Sequence, residues 1–301
     1  MPCNGFCGRR YNKSMRSITL QKLKTYRTQT FRLRLSEKVK TPGQALDFVN
    51  ERGFVYFWPI KNVDLPSLWV AVAGDRSVAD AHDDPGHITW RWKDQALGKK
   101  TWYYGKVLRR KATMISLAVA PFFYALSENF GSPEEDHLVA YKEGRLTLSA
   151  KQVYEALLDQ GAMNTIDLRR AARLSSKSSD TEFNRALEVL QADFKIVPIG
   201  VAEAGAWRYA FIYDLVSRHM PELVENARSI GEAEARSKLA LHFIRSVGAA
   251  TPRDFHRLFG WPPELLNRTI QALKKRRQVV SANHPQKTGE WLALPELTVK
   301  E

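Results

Sequence analysis

Cysteine is nearly absent: the 301 residues contain two, Cys3 and Cys7, four apart near the start. No second Cys or His pair stands beside them, so they form no zinc-type ligand set and read as free thiols in a tail. Long apolar runs are missing too. A membrane span needs roughly 20 apolar residues; the longest run here, Met114 to Leu126, is broken by Pro121 and reads as a buried helix. The first residues lack the apolar core and cleavage site of a secretory signal, so a cytoplasmic protein is expected. The common catalytic signatures are also missing. There is no P-loop, no Gly-x-Ser-x-Gly, no His-x-Glu with paired cysteines and no His-Glu-x-x-His. His82, Asp83, Asp84 and His87 cluster in one loop, which reads as an exposed turn before it reads as a metal site. No cofactor is implied.

What is present is positive charge, unevenly spread. Of the net +14, residues 1–40 contribute eleven lysines and arginines against Glu37 alone. A basic arm of this kind, expected to be flexible, suits an anionic polymer, because each neutralised phosphate releases counterions. It lacks the apolar helical face that would insert into a membrane.

A second basic stretch, Trp90 to Lys111, sets eight cations against Asp94 with five aromatic residues between them. Cations grip phosphates and flat rings stack on bases. On that reading Arg91, Trp92, Lys93, Lys99, Lys100, Tyr103, Tyr104, Lys106, Arg109, Arg110 and Lys111 face DNA. The alternative is that Trp90, Trp92 and Trp102 belong to the core with solvated charges between them. Between the two basic stretches, Phe54-Val55-Tyr56-Phe57-Trp58 carries too many rings for a surface turn and reads as a buried extended segment.

The spacing of apolar residues divides the chain into the arm, a first module over 41–147, a second over 148–230 and a third over 231–301. Thr41-Pro42 starts a helix that Gly53 ends. In the second module, capping boxes at Ser149/Gln152 and Ser179/Glu182 open helices. A hairpin follows, with Trp207, Tyr209, Phe211 and Tyr213 alternating to one face. The same order of helices and hairpin recurs after Glu234. The expected fold is therefore mainly α with small β-hairpins, arranged as tandem winged-helix modules. The third helix of such a module usually enters the major groove, which nominates Lys177 and Arg185. Winged helices also serve as protein-docking modules.

The strand exit Trp207 to Leu215 followed by Arg218-His219-Met220-Pro221 resembles the AlkZ/YcaQ family, bacterial DNA glycosylases that unhook crosslinks and remove alkylated purines. Trp102-Tyr103-Tyr104 followed by Leu108 is similar to that family's Tyr-Trp-Ala-His block. The resemblance implies double-stranded, damaged DNA as partner and a catalytic Gln-x-Gln or Gln-x-Asp just after the first helix. Tyr56 and Trp58 occupy those positions here, and neither side chain can hold and activate water as an amide or carboxylate does. The sequence also ends at Glu301, before the family's C-terminal β-barrel. The expected protein is a DNA binder without the usual catalytic pair, with Tyr56, Phe57 and Trp58 as a stacking wedge or core filler. The rival is a glycosylase using a displaced carboxylate such as Asp47, Asp64 or Asp75. A protein-interaction scaffold is the third reading.

Overall fold

The computed structural model describes residues 16–78, 80–81, 83–205 and 208–300. Cys3, Cys7, His82 and Trp207 lie outside them. In chain order the elements begin with β1 (Arg16–Ile18), α1 (Leu20–Thr30), α2 (Pro42–Arg52), β2 (Phe54–Tyr56), α3 (Leu68–Ala73) and α4 (Ile88–Ala96). Next come β3 (Tyr103–Lys106), β4 (Ala112–Ile115), α5 (Ala120–Tyr124), α6 (Pro133–Lys142) and α7 (Leu148–Gln160). β5 (Met163–Asn164), α8 (Thr165–Ala171), α9 (Asp180–Ala192), β6 (Ile196–Ala202), β7 (Ala210–Leu215), α10 (Val216–His219) and α11 (Pro221–Ala227) form the middle of the chain. The last are α12 (Glu232–Val247), β8 (Ala249–Ala250), α13 (Pro252–Phe259), α14 (Pro263–Lys275), β9 (Val280–His284), β10 (Lys287–Ala293) and β11 (Thr298–Lys300). The chain is mainly helical with small sheets, as its periodicity indicates.

One arrangement occurs three times: helix, short strand, two helices, hairpin. In each, the short strand pairs with the second strand of the hairpin, giving orders β2-β4-β3, β5-β7-β6 and β8-β10-β9. In the first, β4 is central: Ile115 lies opposite both Phe54 and Tyr103, and Thr113 opposite both Tyr56 and Gly105. Phe54, Val55 and Tyr56 are fully buried, so each contributes roughly 1.5–3 kcal/mol of burial.

The arm expected to be flexible over residues 1–40 is folded from residue 16 onward. β1 pairs with β11 and with β9, joining the two ends of the chain. α1 lies on α12, where its cations have structural work. Arg27 donates to the carbonyls of Val247 (2.8 Å) and Ala249 (3.0 Å), which lie at the C-terminal end of α12. A cation there satisfies orphan carbonyls and complements the helix dipole. Arg27 also pairs with Asp64 at 3.1 Å.

Other local expectations shift. Met114 begins not a helix but the end of β4, and only Ala120–Tyr124 is helical. α7 is capped by Thr147, whose hydroxyl accepts from the Ala150 N–H, rather than by Ser149. Ser179 makes no cap bond to α9, because its hydroxyl donates to the carbonyls of Leu174 and Ser176 instead. The capping box occurs at Thr251 and Asp254, opening α13.

α2 behaves as its sequence dictates. Thr41 accepts from the Gln44 N–H, Pro42 opens the first turn, and Gly53 closes the helix at φ 82°. That glycine is doubly required, since a Cβ would stand 2.5 Å from the His242 ring. Gly53→Ala is expected to lower stability by more than about 2 kcal/mol through combined strain and overpacking. His242 is pushed down to about 4 by burial, with Lys238 and Arg245 adding to it. Because the unfolded chain then binds more protons between pH 6.5 and 4, stability is lost as pH drops from 6.5 to 4, by about 2–3 kcal/mol. Urea titrations at stepped pH should show this fall in the parent protein and its loss in His242→Gln.

Candidate nucleic-acid interface

The Trp90–Lys111 stretch separates into inside and outside. Trp92, Lys93 and Tyr103 are buried, as is Trp102, so they do not face a polymer. The cause is their register: Trp92 and Lys93 lie on the inner face of α4, and Tyr103 points into the core, where its ring stacks on Phe194 at 4.3 Å. Tyr104 is half-buried. Lys106 is engaged with α9, pairing with Glu188 at 2.9 Å while its N–H donates to Gln191. Arg91, Lys99, Lys100, Arg109, Arg110 and Lys111 are exposed, as are Lys177 and Arg185 before and on α9. The side of α9 that carries Glu188 and Gln191 is covered by β3 and leaves only its first half open.

Lys93 has an unusual setting. Its ammonium lies 2.7 Å from Asp94 and donates to the Tyr209 hydroxyl at 2.9 Å, which in turn donates to Asp94 at 2.9 Å. Phe211, Trp90, Tyr104, Tyr209 and Phe57 surround it, with ring centres 4.5 to 5.9 Å away. Burial lowers its pKa, and Asp94 opposes that. Tyr209 and Phe211 belong to the second repeat, so the cage clamps α4 to the β6–β7 hairpin. Trp58 packs beside it, edge-on to Phe57 at 4.8 Å and tilted against Trp90 at 5.8 Å. Among these rings Trp90, 41% exposed, is the open one.

Tyr56 and Phe57 are fully buried and make no wedge. The Tyr56 hydroxyl has no hydrogen-bond partner, and burial pushes its pKa up to about 12, eased by Arg109. Asp47 and Asp75 are exposed, and exposed Asp64 is held by Arg27. Asp84 pairs with Arg76 at 2.7 Å, and among the described residues no group of His, Cys, Asp and Glu could hold a metal ion.

The β3–β4 turn is the most conspicuous backbone feature. Arg109 and Arg110 both adopt left-handed conformations, at φ 54° and 56°. Such conformations cost roughly 1–2 kcal/mol per non-glycine residue and persist only when the surroundings enforce them. Buried Leu108 and the Thr113 hydroxyl, bonded to the Leu108 N–H and the Lys111 carbonyl, enforce them here. Neither arginine side chain forms a hydrogen bond or ion pair with a described residue.

Arg109 lies where two clefts meet. One, of about 550 Å³, brings it together with Lys61, Arg253, Arg257 and Lys287, against Asp64 and Asp254. The other, of about 320 Å³, runs between all three repeats and is lined mostly by apolar residues, with Arg109, Ser127, Glu128 and Asp193 also on its wall. Sequence reading named Arg109 and Asp64 but missed the other charged residues of the clefts. Four cations come from distant, unremarkable stretches. Asp193 carried a signal, an acid at the C-terminal end of α9, where the helix dipole disfavours negative charge.

The chain matches the AlkZ-related family model over residues 39–260. It belongs to the AlkZ-related family. Among solved structures this AlkZ-related chain is similar to the Streptomyces sahachiroi DNA glycosylase AlkZ. The identity is 13% and the TM-score 0.56, over 93% of this chain and 71% of that one, a likeness of fold alone. No curated protein matches it. Residues 39–260 of this AlkZ-related fold contain the Lys93 cage and every lining residue of the Asp193 cleft but Trp261. No described helix is long and apolar enough to cross a membrane.

The cage makes a direct prediction about stability. Truncating a buried, paired cation leaves its partners uncompensated, so Lys93→Ala should cost about 2–4 kcal/mol. Lys93→Met should recover more than half of that by refilling the apolar space. Urea midpoints decide it; an alanine variant as stable as the parent contradicts the cage.

Proposed function

We propose that this AlkZ-related protein binds double-stranded DNA, with a preference for damaged or distorted duplex, along the cationic cleft centred on Arg109. The observation that carries the reading is the convergence of Lys61, Arg109, Arg253, Arg257 and Lys287 from four separated stretches onto one cleft. The strained turn that presents Arg109 and Arg110 with no internal partner supports it. Backbone is strained at sites where function requires it, and unpaired guanidinium groups suit bidentate phosphate contacts. Family membership supports DNA as the polymer, and such a protein works in the cytoplasm at the nucleoid.

We read the three repeats as winged-helix modules, over 41–147, 148–230 and 231–301. In the second, α9 is partly covered by β3, which favours phosphate contacts over major-groove reading by Arg185. Arg91, Lys99, Lys111 and Lys177 are further exposed cations, Lys100 faces Glu222 at 3.7 Å, and Trp90 offers a ring face for stacking. Tyr56 and Trp58 fill space where the family resemblance places the catalytic amide or carboxylate pair.

Fluorescence anisotropy with a labelled duplex carrying one 7-methylguanine, and with its undamaged counterpart, tests the reading across a salt series. Arg109→Ala and Arg253→Ala should each weaken binding several-fold and reduce the salt slope by about 1. Binding that ignores salt, or that neither variant weakens, refutes it.

A further inference from the structure

We propose that Asp193 is the catalytic base of a DNA glycosylase activity, accepting the proton of a water that attacks the sugar of a damaged nucleotide seated in the apolar cleft. The proposal rests on the reading that the adjoining cationic cleft holds duplex DNA.

Four carboxylates line the two clefts, and three are committed elsewhere. Asp64 pairs with Arg27. Asp254 closes the capping box of α13 and faces Arg257 at 3.7 Å. Glu128 is ion-paired with Arg145. The Asp193 carboxylate accepts no hydrogen bond and forms no ion pair within 4 Å with any described residue, although its backbone carbonyl accepts from the Asn129 amide at 2.6 Å. Its place is unfavourable for a charge: half-buried, at the C-terminal end of α9, beside Phe194 in a cleft walled by apolar side chains. Burial raises its pKa, and the charges of Lys195, Arg110 and Arg145 work against that rise. A carboxylate kept uncomfortable and unpaired, yet surrounded at longer range by cations that favour ionisation, is suited to general-base work.

The cleft supplies the rest of a nucleotide site. Phe123, Phe194 and Trp261 are among its walls, and Trp261 lies flat on Phe259 at 4.2 Å. Such walls accept a purine that has left its stack, at a cost of a few kcal/mol recovered through phosphate contacts next door. Arg109 lines both clefts, so a nucleotide can keep its phosphate in the cationic cleft while its base enters the apolar one. In the step itself, the water oxygen bonds to C1′ and the C1′–N9 bond breaks. Its electron pair leaves on the base, so an N7-alkylated purine departs neutral. The water proton goes to the Asp193 carboxylate, and an abasic sugar remains.

The test is single-turnover base release from a duplex with one 7-methylguanine, with anisotropy on the same DNA. The parent protein should generate alkali-labile sites, on an acidic limb that falls as pH drops through the Asp193 pKa. Asp193→Asn should bind the duplex unchanged yet release base at least about 100-fold more slowly, without that limb. Asp193→Ser repeats the test should the amide disturb folding, and circular dichroism checks both. Parent-like release by both variants overturns the assignment of Asp193 and leaves the DNA reading intact. Binding without release by the parent overturns the proposal but not that reading. Failure of the parent to bind overturns both.

Discussion

A desolvated ammonium sets the geometry of this protein. Lys93 has given up water for one carboxylate, one phenol hydroxyl and five ring faces; burial works against its charge, and Asp94 works for it. The partners come from two repeats, so compensation of the charge and registration of those repeats are one event. Neighbouring contacts join the same two repeats: Tyr103 on Phe194, Lys106 on Glu188 and Gln191. Together they hold the β3–β4 hairpin against α9 and fix its tip, with Arg109 and Arg110, at the joint between the clefts. An apolar clamp of equal area would be less selective about angle, because ring faces and hydrogen bonds lose strength with direction as well as distance.

The positive charge of the chain accordingly has two uses that a residue count does not separate. Arg27, Lys93, Lys106 and Lys195 are spent internally on carbonyls, carboxylates and rings. Arg109, Arg110 and Arg253 make no such bond among the described residues. The N-terminal stretch illustrates the difference. Its excess of cations pointed to a free arm, yet β1 and α1 are built into the sheet and onto α12 because helix-end carbonyls need donors as much as phosphates do.

Much of the fold was legible where local chemistry is self-sufficient. Thr41-Pro42 and Gly53 bound α2 as read, Asn164 caps α8, and the order of helices and hairpins in the later repeats follows from apolar spacing. Legibility failed where tertiary pairing decides. Met114 and Ile115 are strand because β4 must sit between β2 and β3, and an apolar run alone does not distinguish that from a helix. Trp92 and Tyr103 share a stretch with exposed cations, and only their side of the helix or strand separates core ring from surface ring. The clefts were illegible for a simpler reason: their cations come together only in the folded chain.

Tyr56 and Trp58, which the family resemblance sets against a polar pair, have physical consequences of their own. Trp58 consolidates the rings around the Lys93 cage, whereas Tyr56 buries a hydroxyl with no partner beneath Arg109. A buried orphan hydroxyl costs about 1–3 kcal/mol, and phenylalanine would avoid that cost without loss of volume. Its proximity to the guanidinium gives the hydroxyl a favourable, longer-range interaction, so the tyrosine and the strained arginine are best understood together. Tyr56 then serves as the floor beneath the turn. Any chemistry at this joint must come from a group that still reaches solvent, and of the carboxylates along the clefts Asp193 alone is both unpaired and placed against the helix dipole. Tyr56 and Trp58 thus fill the space around the Lys93 cage and beneath the turn without closing the cleft that Asp193 lines.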